Sequence, residues 1–569
     1  MERIGIKYLG FAVLVVALLN VGLLTQPFIS QNWDSEMHLF FASHYLQHWD
    51  SGWENKWYGG FSVYVSAPLA HLLIALMGNF VSLEAGYLIL QAAALTLFPV
   101  SVFVFVREVL DEQSAGIASL LSTGVAGAYV VLYTFGQLPF FLAACFGLLA
   151  AAAYVKFLRN GGLTAFFSWT FLAGTAIATH HHSSLVILPL FIATTTLMQW
   201  FQGFKLRSLF RVSVAMISFA FVAVLVILPF WWWFLSESLP QNEIYHPSRD
   251  AYFRVSSSAR MFFWDMYGGV ILLIPLVMLG LRYIRLLPLI AMAGFLVILG
   301  LGGNTIVPQK LLGSISETLT FERFSFWAAV LIIIPAAFIL KNFKGRMRFI
   351  TMTFIAITML VGIVRAISFP HQQELLQKPL TSWEEREVVR FLNDHDEYNY
   401  LTLGLGEPQM VRISRLTNAW TVDGFYHQAR SKQELRDSLI GTIDASEWEG
   451  EKSYDVLFSV LQYPAHWQVR YVVSGSAWSE GHLKNSGWEI LHPIGSRLGW
   501  QQGERHYSNI TVWEAPQQHL SEIKPRHVTH HPGRLIERIF LPFLWVHVPL
   551  LFLVFSCLFS FILWRIDNG

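Results

Sequence analysis

Asn32-Trp33-Asp34-Ser35-Glu36-Met37-His38 follows directly on an apolar run at 5–26, which has Arg3 and Lys7 near its other end. A run of about 20 apolar residues is long enough to cross a bilayer. Asp34, Glu36 and His38 therefore crowd the rim of a membrane segment, where ionisable groups are costly and are retained for function. If a helix starts here, Asp34 and His38 stand four residues apart and share a face, with Glu36 on another. Asp34 or Ser35 can equally serve as the N-cap of that helix. At this level both uses of Asp34, cap or reacting group, stay open.

The rest of the chain reads as a membrane body. Of its 569 residues, 54% are hydrophobic and 14% charged, against about 25% charged in an ordinary soluble domain. The mean hydropathy is +0.46. These values exclude a soluble globular protein and a disordered one. A net charge of +1 gives no basic footprint, so no nucleic-acid partner is expected. Cys145 and Cys557 both lie in apolar runs, which excludes a disulfide scaffold and a cysteine-based zinc site.

Further apolar runs lie near 84–106, 115–133, 136–158, 163–180, 184–201, 209–233, 268–284, 286–302, 325–340, 349–367 and 539–564. They bring the expectation to about 12 transmembrane helices. Leu24-Thr25-Gln26-Pro27 lacks a small-x-small cleavage pattern, so the first run is expected to remain as a helix. With the N-terminus in the cytoplasm, the cytoplasmic ends collect 15 Lys and Arg and the outer loops of the body 8. That is the positive-inside pattern. It predicts a multi-pass protein of the plasma or inner cell membrane, bathed in membrane lipids.

Charge is concentrated in one place. Residues 369–537 hold 22 of the 38 acids and 16 of the 39 bases. The expected domains are a transmembrane body at 1–368 with an outer loop at 30–83, an extracytoplasmic domain at 369–537, and a last transmembrane helix with a short cytoplasmic tail at 538–569. Alternating or β-branched stretches at 398–404, 455–461, 470–474, 488–493 and 509–514 predict strands. Helical patterns lie near 383–393 and 431–438. The fold class is thus mostly α, a polytopic membrane protein with an extracytoplasmic α/β domain before the last helix.

Other constellations sit on the same outer side. Trp53-Glu54-Asn55-Lys56-Trp57-Tyr58-Gly59-Gly60-Phe61 pairs two glycines, which allow close backbone approach, with aromatic faces suited to a sugar or an isoprenoid. Glu54, Lys56, Trp57, Tyr58, Gly59 and Gly60 form a candidate substrate loop; an interfacial aromatic belt is the other reading. Arg323 is one of few bases on the outer side of the body and is forked for phosphate oxygens. Glu322 or Glu317 can pair with it locally. His180, His181 and His182 are consecutive, so on a helix they splay by about 100° each and cannot all face one ion. His181 is the candidate phosphate ligand among them. Asp34, Glu36 and His38 offer oxygen and nitrogen ligands for a divalent cation; no other cofactor is expected.

An acid just past helix 1, the Trp57-Tyr58-Gly59-Gly60 segment, Pro68-Leu69, a twelve-span body and an outer C-terminal domain together resemble the GT-C superfamily of glycosyltransferases. A narrower likeness rests on Glu322-Arg323-Phe324, Thr421-Val422-Asp423-Gly424-Phe425-Tyr426-His427 and Ile510-Thr511-Val512-Trp513-Glu514. These resemble a bacterial family labelled "membrane protein, 6-pyruvoyl-tetrahydropterin synthase-related". The GT-C resemblance implies transfer of a sugar from a polyprenyl-phosphate-linked donor to a glycan, lipid or protein acceptor on the outer face, with inversion. It implies Asp34 as the base, Arg323 at the donor phosphate, and Glu36 and His38 as supporting acid/base or metal groups. A transporter or lipid flippase is the alternative from another class. It would want ionisable groups or broken helices at mid-membrane, whereas here they gather on the outer rim. A catalytically inactive assembly protein of the same fold is a third reading.

Overall fold

A chain in lipid has no water to satisfy its backbone, so apolar runs fold into helices that satisfy their own N–H and C=O groups. The computed structural model describes residues 3–25, 29, 32–203, 206–237, 246–250, 252, 260–313, 316, 319–372, 380–430, 432–494, 499–501, 504–506, 510–526 and 536–568. Gln26 and Pro27 of the expected uncleaved segment, Glu317 beside Arg323 and Asn509 of the last expected strand lie outside them.

The helices that matter here are α1 (Arg3–Leu23), α2 (Ser35–Gln47), α3 (Leu69–Gly78), α4 (Leu83–Val109), α5 (Glu112–Ser122), α6 (Ala126–Tyr129), α7 (Leu138–Asn160), α8 (Leu163–Thr179), α9 (His181–Trp200) and α10 (Leu206–Glu237). There follow α11 (Ile274–Gly280), α12 (Leu287–Leu299), α13 (Glu322–Asn342), α14 (Arg346–Gln372), α15 (Ser382–Asp394), α16 (Glu407–Leu416), α17 (Tyr454–Gln462), α18 (Ala477–Asn485) and α19 (Leu541–Asn568).

Among the described residues, nine helices are long and apolar enough to cross a membrane. Helix α5 and the segment Ala126–Thr134 that opens with α6 pass the same test only as a pair, bent by 55°. Gly124 sits at that bend, and the Thr358 carbonyl of α14 comes within 2.4 Å of where a Cβ would stand. The remaining two expected runs form the shorter apolar helices α8 and α12. The protein is a multi-pass membrane protein whose twelve expected runs are all helical. Two helices form the heart of the bundle. In α7 and α13, 94% of the apolar window is buried inside the protein, against 22% in α1, α14 and α19.

The α/β domain is built on a five-stranded sheet in the order β4-β3-β5-β9-β6. Its strands are β3 (Asn399–Leu403), β4 (Trp420–Thr421), β5 (Val469–Ser474), β6 (Glu489–Pro493) and β9 (Thr511–Glu514). β3 pairs in parallel with β4 and β5; β9 is antiparallel to both β5 and β6. The strand expected at 455–461 is instead helix α17. Its apolar residues Val456, Leu457, Val460 and Leu461 recur at helical spacing and are the ones buried. Between α1 and α4, at the domain's end of the bundle, lie α2, α3 and a small hairpin of β1 (Trp53–Glu54) and β2 (Phe61–Ser62).

Candidate functional site

Asp34 stands at the N-cap position of α2, yet its side chain makes no capping bond. Asn32 does that work: its Oδ1 accepts from Ser35 N at 2.9 Å. Ser35 Oγ in turn donates to Tyr87 on α4 at 2.7 Å, and Tyr87 donates to the Gly136 carbonyl at 3.1 Å. Gly136 has φ +73°, and a Cβ there would meet Asn32 Oδ1 at 2.5 Å, so this corner needs glycine. The capping role open to Asp34 in the sequence is thus filled by a neighbour, and its carboxyl is left for other work. Burial pushes the Asp34 carboxyl up to about 7; Arg323 pulls it down, and Glu322 adds to the rise. A base near the working pH is the most effective kind.

Three helices begin around this carboxyl. α13 opens with Glu322 and Arg323, Gln137 stands at the N-cap position of α7 without a side-chain capping bond, and His180 caps α9 by accepting from Ser183 N at 3.3 Å. Gln137 Nε2 donates to Glu322 Oε1 at 3.4 Å. The Arg323 guanidinium lies over the Phe140 ring at 5.3 Å. Its Nε is 3.8 Å from Glu322 Oε1 and has no hydrogen-bond partner among the described residues. Helix N-termini carry partial positive charge and unpaired N–H groups, which favour an anion. Arg323 lines a cleft with His182, Ser183, Leu319, Thr320 and Trp327. That cleft adjoins an apolar one lined by Phe140, Ala143, Ala144 and Gly147, the two sharing Ser183 and Trp327.

Buried polar groups are nearly always paired. Here Asn32 Nδ2, His38 Nε2, Gln137 Oε1, Glu322 Oε2 and Thr320 Oγ1 are buried without a hydrogen-bond partner among the described residues. Their grouping around Asp34 and Arg323 marks this corner as one built to meet something other than the chain.

The structure brings Asp34 and Arg323 together and redistributes the other expected residues. Glu36 does not join Asp34. It is fully buried and pairs with Arg412 at 2.8 Å and Arg415 at 3.2 Å. His38 Nδ1 lies 3.0 Å from His71 Nε2 on α3. With Glu36 spent on two arginines, the expected cation set of Asp34, Glu36 and His38 does not assemble. No group of three His, Cys, Asp or Glu among the described residues is arranged to hold a metal. His181 packs on Phe230 at 4.8 Å, while His182 is the one that shares the cleft with Arg323.

The expected substrate loop is an interface. Trp57 is fully buried, stacked on Phe40 at 4.0 Å and on Phe61 at 5.6 Å. Its Nε1 donates to Ser414 Oγ at 2.8 Å, and Lys56 Nζ to the Arg415 carbonyl at 3.2 Å. Tyr58 Oη donates to the Gly424 carbonyl, and Tyr58, Gly59 and Gly60 all have positive φ, at 59°, 77° and 116°. Glu54 pairs with His44 at 2.8 Å. Burial alone would raise the Glu54 carboxyl, but His44 and Lys56 outweigh it and bring it down to about 2. With both faces of Trp57 covered, a sugar cannot stack there.

Sequence reasoning missed Gln137, His71 and the domain's reach into the site, and of three consecutive histidines it chose His181 where the cleft holds His182. Tyr426 donates to the Val65 carbonyl at 3.0 Å and feels the charges of Asp34 and Arg323. Glu407, pushed up to about 8 by burial and by Glu449, Asp444 and Asp423, also feels Asp34. The signal for Tyr426 was present in the 421–427 motif, although its distance in sequence hid the target.

No family model matches the sequence, including one for the narrower bacterial likeness, and no curated protein matches it. Solved structures do. The mycobacterial arabinofuranosyltransferase AftD aligns over 91% of this chain at 14% identity and TM-score 0.54, and the chain spans 40% of AftD. The Archaeoglobus fulgidus oligosaccharyltransferase, solved with Zn and sulfate, aligns over 88% of this chain and 73% of its own, at 14% identity and TM-score 0.50. ArnT from Cupriavidus metallidurans, solved with undecaprenyl phosphate, aligns over 92% of this chain and 99% of its own, at 10% identity and TM-score 0.52. At such identities the likeness is one of architecture: the chain has the fold of the GT-C membrane glycosyltransferases.

Proposed function

We propose that the protein is a glycosyltransferase that moves a sugar from a polyprenyl-phosphate-linked donor to a hydroxyl acceptor at the outer membrane face, with inversion. The carrying observation is the pairing of Asp34, a carboxyl relieved of capping, with Arg323 at a meeting of helix N-termini. The acceptor oxygen attacks the anomeric carbon as the carbon–oxygen bond to the carrier phosphate breaks. Asp34 takes the acceptor's proton. Arg323 and the helix ends take up the charge of the departing phosphate. The cleft at Arg323, with Val186, Ile187 and Phe324 on its walls, continues into an apolar one between α7, α9 and α13; one cationic end on an otherwise apolar path suits a phosphate bearing an isoprenoid tail. Among the described residues no ligand set fits a divalent cation.

The excess of cytoplasmic Lys and Arg supports the outer-face placement of Asp34 and residues 369–537. The test is purified protein in proteoliposomes with polyprenyl-phosphate sugars and a lysate-derived acceptor pool. Release of free polyprenyl phosphate by the wild type and its loss in Asp34→Asn are expected. Equal release by both proteins, or transport of the intact donor without bond cleavage, sinks the reading.

A further inference from the structure

Glu36 lies two residues past Asp34, in the first turn of α2, and it is fully buried. A buried carboxylate is costly unless charges and hydrogen bonds compensate it. Both of its oxygens are taken by α16. Arg412 Nη1 donates to Oε1 at 2.8 Å, and Arg415 Nε donates to Oε2 at 3.2 Å. Each arginine is held by a second acid: Arg412 by Glu385 on α15, and Arg415 by Glu84 at the start of α4, at 2.8 Å. The network therefore ties two helices of the membrane body, α2 and α4, to two of the α/β domain, α15 and α16. The same stretch of α16 receives Lys56 and Trp57 of the hairpin.

Two residues along a helix is a rotation of about 200°. Glu36 thus meets α16 on one side of this turn, while Asp34 is tied to the bundle through its backbone N, which donates to the Phe135 carbonyl at 3.0 Å. The first turn of α2 is a spacer held from both sides. Helix ends fray unless their orphan groups are held, so what grips the far face of this turn determines how firmly the near face is placed. We propose that Glu36 is a positioning residue, through which the docked α/β domain fixes the first turn of α2 and so sets where the Asp34 carboxylate stands. This rests on Asp34 as the base, but its test reads Asp34 directly.

Arg412 is the gentler partner to change, since its side chain is 24% exposed. Arg412→Gln removes one arm of the clamp and leaves Arg415 on Glu36. Arg412→Lys keeps the charge and loses the fork. The readout is the pH dependence of Asp34 modification by a water-soluble carbodiimide with an amine, measured by mass spectrometry on the full chain in detergent. The groups facing Asp34 are Arg323 and Glu322 of α13, His38 of α2, Tyr87 of α4, and Glu407 and Tyr426 of the domain. None of them is substituted, so a shift reports where Asp34 stands.

Arg412→Gln is expected to lower the modification midpoint by about one pH unit as water reaches the carboxyl, with Arg412→Lys close to wild type. Donor turnover should fall about tenfold in Arg412→Gln with KM little changed, and recover in Arg412→Lys. A folded Arg412→Gln protein with the wild-type midpoint overturns the proposal. If Arg412→Gln does not fold, Glu36→Asp, shorter by one methylene, must shift the midpoint instead, and an unmoved midpoint there overturns it equally. A shifted midpoint together with full transfer by Asp34→Asn would instead leave the positioning role standing and remove the base.

Discussion

Asp34→Asn keeps the shape of the side chain and removes its charge. In the folded protein burial holds this carboxyl at about 7, against an ordinary 3.8. One unit corresponds to about 1.4 kcal/mol, so the ionised form costs the fold on the order of 4 kcal/mol above pH 7. That is an upper figure, because Asp34 is only partly buried. The folded value is raised, so the protonated form is the one the fold prefers. Its contribution is fully present below pH 3.8 and is lost as pH rises through about 7. Asparagine carries no such cost, and since Asn32 caps α2, the substitution sacrifices no cap. Asp34→Asn should therefore melt higher than wild type at pH 8, with a smaller gain at pH 5. Turnover should fall by about a hundredfold or more. Wild-type turnover should drop about tenfold per unit below pH 7 as the base is protonated. Fluorescence-detected melting in detergent at both pH values, with polyprenyl phosphate release as the activity readout, checks all three. An Asn variant as active as wild type, or equally stabilised at both pH values, refutes the reasoning.

Arg323→Lys should weaken donor binding in part and Arg323→Ala more strongly; equal donor affinity in the three proteins, measured by isothermal titration, removes the phosphate role. His182→Ala should weaken donor binding as a lining residue of the Arg323 cleft. His181→Ala should lower the melting temperature through the lost packing on Phe230, and the reverse pattern would reassign the two. Trp57→Ala should cost about 3–5 kcal/mol of domain docking, read as a lower melting temperature and faster limited proteolysis of the full chain, and stability and resistance equal to wild type would contradict the interface. In a background lacking Cys145 and Cys557, cysteines at Ser51 and Asn485 should react with a membrane-impermeant maleimide in intact cells while one at Lys344 stays protected; the opposite result reverses the proposed orientation.

The twelve apolar runs were legible because hydropathy alone dictates helices in lipid, and every run is one. The sheet was legible at 398–404, 470–474 and 488–493, where β-branched residues alternate. Residues 455–461 misled because a short apolar stretch satisfies both periods, and only its packing partner decides between them. Asp34 and Arg323 could be found as rare charges at the rim of an apolar body. Glu36 could not be sorted from Asp34, because the arginines that claim it lie 376 and 379 residues further on. Trp57 was misread for a related reason: an aromatic in an outer loop looks available until the domain that covers it is in place. His181 and His182 differ only by about 100° around the helix axis, and sequence alone does not say which of those directions meets the cleft.

The near-complete burial of α7 and α13 has a mechanical consequence. Helices at the rim of the bundle, such as α1, α14 and α19, meet the lipid and must tilt or slide as bilayer thickness changes. Gln137 and Arg323 ride instead on the first turns of the two helices that the lipid hardly touches. Local fluctuations in the surrounding membrane are therefore absorbed at the periphery. Arg323 is thus carried by a helix that the bundle, and not the lipid, holds in place, so a phosphate bound there as proposed would meet a geometry insulated from the medium in which the protein floats.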